Sequence, residues 1–192
     1  MLGTASAQLS PELNWHLERE AKGIEVYTAP AGTSGLRHVK VTCVLKGSLQ
    51  EVQAVFRHID QQKDWVYKTR QAYLLKQIGN NELLYYNETS LPWPLSNRDV
   101  VIRMKLEDAG QHQLAITQEG EPSAAPLHKG VVRVPHLEGK WLFREQKDGQ
   151  LDVTYYLDVD PGGSIPAWVV NLFVTKGPYE TMVQLQRQIT QP

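Results

Sequence analysis

Between Asp160 and Ile189 apolar positions recur every three to four residues, whereas over most of the preceding chain they alternate. The C-terminal stretch opens on the turn Asp160-Pro161-Gly162-Gly163 and sets Ser164 as the helix N-cap before Ile165 and Pro166. Trp168, Val169, Leu172 and Phe173 follow at helical spacing, then Tyr179, Met182, Val183 and Ile189. Gly177-Pro178 falls in the middle. A proline there removes a backbone hydrogen bond, which predicts a kinked or divided helix. The apolar arc is wide, so a broad surface must cover it.

The alternating segments supply that surface. Trp15 to Lys22 and Ile24 to Ala29 bracket Gly23 as a hairpin, and Pro30 to Gly35 reads as a loop. Leu36 to Leu45 follows as a strand, with Val39, Val41, Cys43 and Leu45 on one face and Lys40, Thr42 and Lys46 on the other. Ser48 with Glu51 three residues on is a capping-box pattern, and Val52, Val55, Phe56 and Ile59 form a helical stripe behind it. The polar run Asp60 to Asp64 ends that helix, and Trp65 and Tyr67 read as packing aromatics that close one end of the sheet.

From Gln71 onward strands dominate. Tyr73 to Ile78, the turn Gly79-Asn80-Asn81 and Glu82 to Leu91 make a hairpin. After Pro92-Trp93-Pro94, the strand Val100 to Glu107 turns Val100, Ile102, Met104 and Leu106 one way and Val101, Arg103 and Lys105 the other. Gln113 to Gln118 comes next. Gly120 to Gly130 is a long polar loop of the kind that tends to carry function. Val131 to Pro135, Gly139 to Gln146 and Leu151 to Val159 complete the sheet, the last with Leu151, Val153, Tyr155, Leu157 and Val159 on one face. The pattern amounts to about eight or nine antiparallel strands, a helix after the third and a long helix at the end. That is an α+β layout, a curved antiparallel sheet with a helix packed on one face.

Composition narrows the function classes. At 192 residues the chain reads as one domain with room for a core and a cavity. A net charge of −1 argues against nucleic acid as a partner. No apolar run is long enough to span a bilayer. The single cysteine, Cys43, excludes an internal disulfide and a cysteine-rich metal site, and its place on an apolar strand face makes it a buried hydrophobe. The six histidines, His16, His38, His58, His112, His128 and His136, fall mostly at strand ends, loops or polar helix faces. They form no metal-ligand spacing, so neither metal nor cofactor is implied. Residues 1–11 read as a flexible tail, or as the remnant of a signal peptide trimmed at Ala5-Ser6-Ala7. Residues 12–192 form the domain. The compartment is accordingly cytoplasmic, or periplasmic or secreted on the signal-peptide alternative.

Five segments in order resemble the START (StAR-related lipid transfer) domain of the helix-grip superfamily. They are Trp15-x6-Lys22-Gly23-Ile24-x-Val26-Tyr27, Asn97-Arg98-Asp99-Val100-Val101, Lys129-Gly130-Val131-Val132-Arg133, Gly139-x-Trp141 and Asp160-Pro161-Gly162-Gly163-x-Ile165-Pro166-x-Trp168-x-x-Asn171. The resemblance covers roughly residues 12 to 190. It implies a sheet wrapped around the C-terminal helix, enclosing a tunnel that holds one hydrophobic molecule such as a sterol, phospholipid or ceramide. The tunnel wall would then comprise Leu84 and Tyr86 of one strand, Val100, Ile102 and Met104 of the next, and Leu114 and Ile116 after them. Trp141 and Phe143, then Tyr155 and Leu157, would continue it, closed by Trp168, Leu172 and Phe173.

Glu88 shares the alternation row of Leu84 and Tyr86, at a position where sterol-binding relatives carry a cavity acid. Those relatives pair it with an arginine on the neighbouring strand, where this chain has Met104. A lone buried carboxylate is costly, so Glu88 needs a partner, a ligand group or a wet rim. Arg98, Asp99 and Arg133 match positions that look architectural, with headgroup contact as a second role. Gly177 and Pro178 would be the gate, together with the Gly120 to Gly130 loop. No nucleophile–base–orienter set appears on the inner face, so no catalytic residue is assigned. The leading reading is a non-catalytic, monomeric lipid carrier that touches membranes transiently. A cavity enzyme of the cyclase or hydrolase kind, and a ligand-sensing interaction module, remain as alternatives.

Overall fold

The fold, a computed structural model, describes residues 13–31, 36–163 and 165–190. The N-terminal tail, the tip of the Pro30 to Gly35 loop and the expected cap Ser164 lie outside the described residues. Ten strands form one sheet: β1 (His16–Ala21), β2 (Ile24–Ala31), β3 (Leu36–Lys46), β4 (Thr69–Gly79), β5 (Glu82–Thr89), β6 (Asn97–Gly110), β7 (Gln113–Gly120), β8 (Val131–Arg133), β9 (His136–Glu145) and β10 (Gln150–Asp160). Helices α1 (Leu49–Arg57) and α2 (Gln62–Trp65) follow β3, and α3 (Ala167–Asn171) and α4 (Gly177–Thr190) end the chain.

Local chemistry sets the element starts. At α1 the Ser48 N–H donates to Glu51 Oε2 at 2.7 Å and the Glu51 N–H donates to Ser48 Oγ at 3.3 Å, a reciprocal capping box. The β1–β2 turn has Lys22 and Gly23 both at positive φ, the backbone that a tight hairpin with right-handed strand twist requires. In β3 the residues Val39, Val41, Cys43 and Leu45 are buried, as their alternation indicates.

The strand path runs β1-β2-β3-β10-β9-β7-β6-β5-β4, with β8 alongside β6. This corrects the expected architecture. The sheet is an open path ending on β1 and β4, which do not pair with each other, so it does not wrap around a helix to enclose a tunnel. Among the described residues it has ten strands rather than eight or nine, and β8 runs parallel to β6, so it is not wholly antiparallel. Alternation reports which side chains face the core but carries no information on whether distant edges meet. Here α2 packs against β4 while α4 packs against β2, β3, α1 and α2, so helices cover the sheet between its two edges.

Where a kink or division was expected at Gly177-Pro178, the helical backbone runs on without a gap but changes its winding, from α3 through a π-helical stretch from Leu172 to Lys176 into α4. The Gly177 N–H donates five residues back, to Leu172 O. A widened turn of this kind accommodates a proline that can neither donate nor tolerate a close carbonyl from the preceding turn. The N-cap position of α3 is Pro166.

Candidate functional site

Beneath the C-terminal segment the structure holds two adjoining cavities, of about 200 Å³ and about 140 Å³. They share a partition of Thr89, Val100, Leu137, Leu157, Val159 and Phe173. The larger lobe is roofed by Gly177, Pro178 and Thr181 of α4 and floored by Ile102, Trp141 and Tyr155 of the sheet. The smaller lobe lies under Ile165, Val170 and Val174, against Val39, Leu91 and Val134. Among its described lining residues the charged side chains are Arg37 and Arg98.

Several expected wall residues meet at these cavities: Val100, Ile102, Trp141, Tyr155, Leu157 and Phe173, with Gly177 and Pro178 of the expected gate. Met104, Leu114, Ile116 and Phe143 are buried in the core and line neither lobe. Leu172 is half-buried and lines neither, and Trp168 is 57% exposed.

The row Leu84, Tyr86 and Glu88 lies on the opposite face of β5. Tyr85 and Asn87 face the cavity instead. Tyr86 stacks on Tyr73 with ring centroids 4.8 Å apart and meets the edge of His128 at 5.0 Å. Glu88 is buried on that outer side, accepting from Arg70 at 3.2 Å, Gln71 at 2.8 Å and Asn97 at 2.7 Å. The segment 121–134 covers this part of the sheet. Arg133 forks onto Asp99 at 2.8 and 3.1 Å and also donates to the carbonyls of Pro122, Ala125 and Pro126. None of residues 121–130 is among the described lining residues of these two lobes.

Arg98 extends on the cavity side of the same strand, buried, and anchors the start of the C-terminal segment. Its Nε, Nη1 and Nη2 donate to the carbonyls of Pro161, Ser96 and Gly162 at 3.2, 2.7 and 3.0 Å. Burial lowers the proton affinity of this guanidinium.

Sequence reasoning missed the polar groups of the larger lobe. Asn87 Nδ2 donates to Gln62 Oε1 at 3.1 Å and to Thr69 Oγ1 at 3.3 Å. Gln118 Nε2 donates to Tyr85 Oη at 2.8 Å, and Trp141 Nε1 donates to Gln118 Oε1 at 3.0 Å. Burial pushes the Tyr85 phenol up to about 12, against the hydrogen bonds from Gln62 and Gln118, and burial drives Tyr155 upward too. Both therefore stay neutral, as hydrogen-bonding phenols rather than bases. The signal for Asn87 was its place two residues from Tyr85 and Thr89 on one alternation row. Gln62 had none, since it sits within a polar run.

Among the described residues no group of three or more His, Cys, Asp or Glu side chains could hold a metal ion, and no helix is long and apolar enough to cross a membrane.

Comparison with known proteins gives a consistent result. The family model for the START domain matches residues 5–190. The phosphatidylcholine transfer protein of Bos taurus is 33% identical over 170 residues, covering 85% of this chain and 78% of that protein. An uncharacterized protein of Pseudomonas aeruginosa is 29% identical over 186 residues, covering 97% of this chain and 91% of its own. The crystal structure of a STAR-related lipid transfer protein fragment from Xanthomonas axonopodis superposes with a TM-score of 0.84 at 36% identity, covering 92% of this chain and 99% of that one.

Proposed function

The chain belongs to the START domain family, and from that premise we propose that it binds one hydrophobic, lipid-like molecule in the paired cavities and carries it without chemical change. The observation that carries this reading is the pair of apolar lobes under a helical segment interrupted by its own π turn. Either lobe alone is smaller than the roughly 300–1,000 Å³ typical of small-molecule sites, so a ligand with long chains would occupy both and displace Phe173 or the helix above it. Each buried methylene contributes about 0.8 kcal/mol, so acyl chains need no polar contact to bind.

We read residues 12–192 as the binding unit, acting as a monomer, with 1–11 as its tail. Loading would require brief contact with a membrane. Support comes from Trp93, 91% exposed, and Trp168, which flank the paired segments that Arg98 ties together. Indole rings favour the interfacial zone of a bilayer.

The test is native mass spectrometry of the purified chain, with organic extraction of whatever is bound, followed by reloading and vesicle-to-vesicle transfer. The expected outcome is one lipid-like molecule per chain, recovered unchanged, and a raised melting temperature on loading. Absence of both a retained molecule and a thermal shift across a broad lipid panel would remove the reading. Chemical conversion of the recovered lipid would replace it with the enzyme alternative.

A further inference from the structure

The two lobes differ in what their polar groups still need. In the larger lobe those groups pair with one another: Asn87 donates to Gln62 and Thr69, Gln118 to Tyr85, and Trp141 to Gln118. No charged side chain is among its described lining residues. An alkyl chain lying there strands no charge.

The smaller lobe has an unmet demand. Arg98 lies in its wall and is only 7% exposed. Its Nε, Nη1 and Nη2 each give one hydrogen to a backbone carbonyl, which leaves one N–H on each terminal nitrogen. Carbonyls satisfy N–H groups, but they carry no charge to neutralise the cation. The carboxylates beside it in the chain are committed elsewhere. Asp99 pairs with Arg133 at 2.8 Å on the far face of β6, and Asp160 Oδ1 accepts from the Gly162 N–H at 2.8 Å. Neither lobe has an Asp or Glu among its described lining residues. Arg37 stands half-exposed at the same lobe, with Nη1 2.6 Å from Glu18 Oε1. A buried guanidinium without a counter-ion is a standing cost, and an anion accepting from its free N–H groups relieves it.

Size limits what else the ligand carries. The two lobes together only just reach the lower bound of the roughly 300–1,000 Å³ of small-molecule sites. One alkyl chain therefore displaces Phe173 and the helical roof less than two would.

We infer that the ligand is a single-chain amphiphile with an anionic end, a carboxylate or a phosphate, which pairs with Arg98 in the smaller lobe while the chain runs past Phe173 into the larger one. This rests on the carrier reading above. It makes Arg98 a ligand-binding residue as well as the anchor of the C-terminal segment.

A competition among three lipids with the same chain tests it. The full chain, stripped of lipid, is incubated with oleate, oleoyl lysophosphatidate and oleyl alcohol at equal concentrations, and bound species are counted by native mass spectrometry. At least one of the two acids should exceed the alcohol by about tenfold or more, equivalent to roughly 1.4 kcal/mol. Which acid leads identifies the anion. Arg98→Gln, checked for a cooperative melting transition, should bring the ratio toward one. A second measurement needs no variant: the carboxyl carbon of bound, carbon-13-labelled oleate, followed by NMR, should titrate at lower pH than in neutral phosphatidylcholine vesicles, because the guanidinium favours the carboxylate. Equal binding of acid and alcohol, a carboxyl that titrates no lower than in vesicles, or an unchanged preference in a folded Arg98→Gln variant would overturn the inference. Binding of none of the three would overturn it too, and the broad thermal-shift panel would decide the carrier reading separately.

Discussion

Gly177 lies so close to Tyr67 that a Cβ at this glycine would sit 3.1 Å from Tyr67 Cδ1 and 3.6 Å from Leu172 O. The φ of Gly177 is −56°, ordinary for a helix, so the glycine is needed for space rather than for backbone freedom. The same contact is tied by the Tyr67 N–H, which donates to Thr181 Oγ1 at 3.1 Å. A half-buried Tyr67 can tilt by a few tenths of an ångström. Gly177→Ala also gains helix propensity worth about 1 kcal/mol. The expected change in unfolding free energy by urea titration is therefore within about 1 kcal/mol of zero. Gly177→Leu has no such outlet and should both destabilise the fold and reduce the amount of lipid retained on gel filtration.

Met104→Arg should be severely destabilising. Met104 is fully buried, opposite Leu83 in the β5–β6 register, whereas Glu88 lies on the other side of the sheet with its own partners. A new guanidinium at 104 cannot reach that carboxylate, and an unpaired buried charge costs on the order of 4 kcal/mol or more. In a double-mutant cycle with Glu88→Gln the coupling energy should be close to zero. Met104→Leu, which conserves volume, should cost less than about 1.5 kcal/mol.

These two positions show what the chain's pattern can and cannot reveal. In β3 one face is buried and the other is polar or open, so the alternation Val39, Val41, Cys43, Leu45 identifies the core side unambiguously. In β5 the run from Tyr85 to Glu88 is buried throughout, because the segment pinned by Arg133 covers the outer face. Two apolar pairs in succession, Leu83-Leu84 and Tyr85-Tyr86, then leave the register ambiguous by one residue, and that single step moved Glu88 away from the cavity. The capping box at Ser48 and a helix irregularity next to Pro178 were legible because their chemistry is local. The openness of the sheet was not, since it depends on whether β1 and β4 meet across the whole domain. Gln62 was hidden for a similar reason: a polar residue in a polar run signals solvent, yet it is buried against the cavity by α4 packing on α2.

Cys43 should be inert in the folded chain. Burial among apolar side chains pushes its thiol up to about 12, well above the ordinary value near 8.5 expected after unfolding. A native thiol that resists ionisation contributes stability that is fully present below the unfolded value. It is lost as pH rises from about 8.5 through about 12, since only the unfolded chain gains the thiolate in that window. At pH 8 an aromatic disulfide reagent should react with Cys43 only at the rate of unfolding, and at full speed in denaturant. Rapid labelling of the native protein would mean that this strand face opens locally.

Pro178→Ala tests the hinge. In the native chain the proline supplies no N–H to the turn behind it, and the π stretch Leu172 to Lys176 directly precedes Gly177. Alanine restores a donor that can reach Val174 O, so the π turn can tighten toward α-helical spacing and join α3 to α4 as a stiffer unit. Pro178 also lines the larger lobe, but it does so with three ring carbons, most of whose contact a methyl group and a small helix shift can replace. Equilibrium affinity should therefore change by less than about threefold, under roughly 0.7 kcal/mol. On the proposed reading exchange would differ, because Phe173 and the helical roof would have to move aside for a ligand that spans both lobes, and that motion would bend the chain at the segment the variant stiffens. Lipid transfer between donor and acceptor vesicles, followed by fluorescence, should slow by about tenfold, corresponding to roughly 1.4 kcal/mol on the barrier. Hydrogen exchange at residues 172–178 should slow in parallel. Transfer at the unmodified rate, in a variant whose amides are measurably better protected, would place the moving part elsewhere than this hinge.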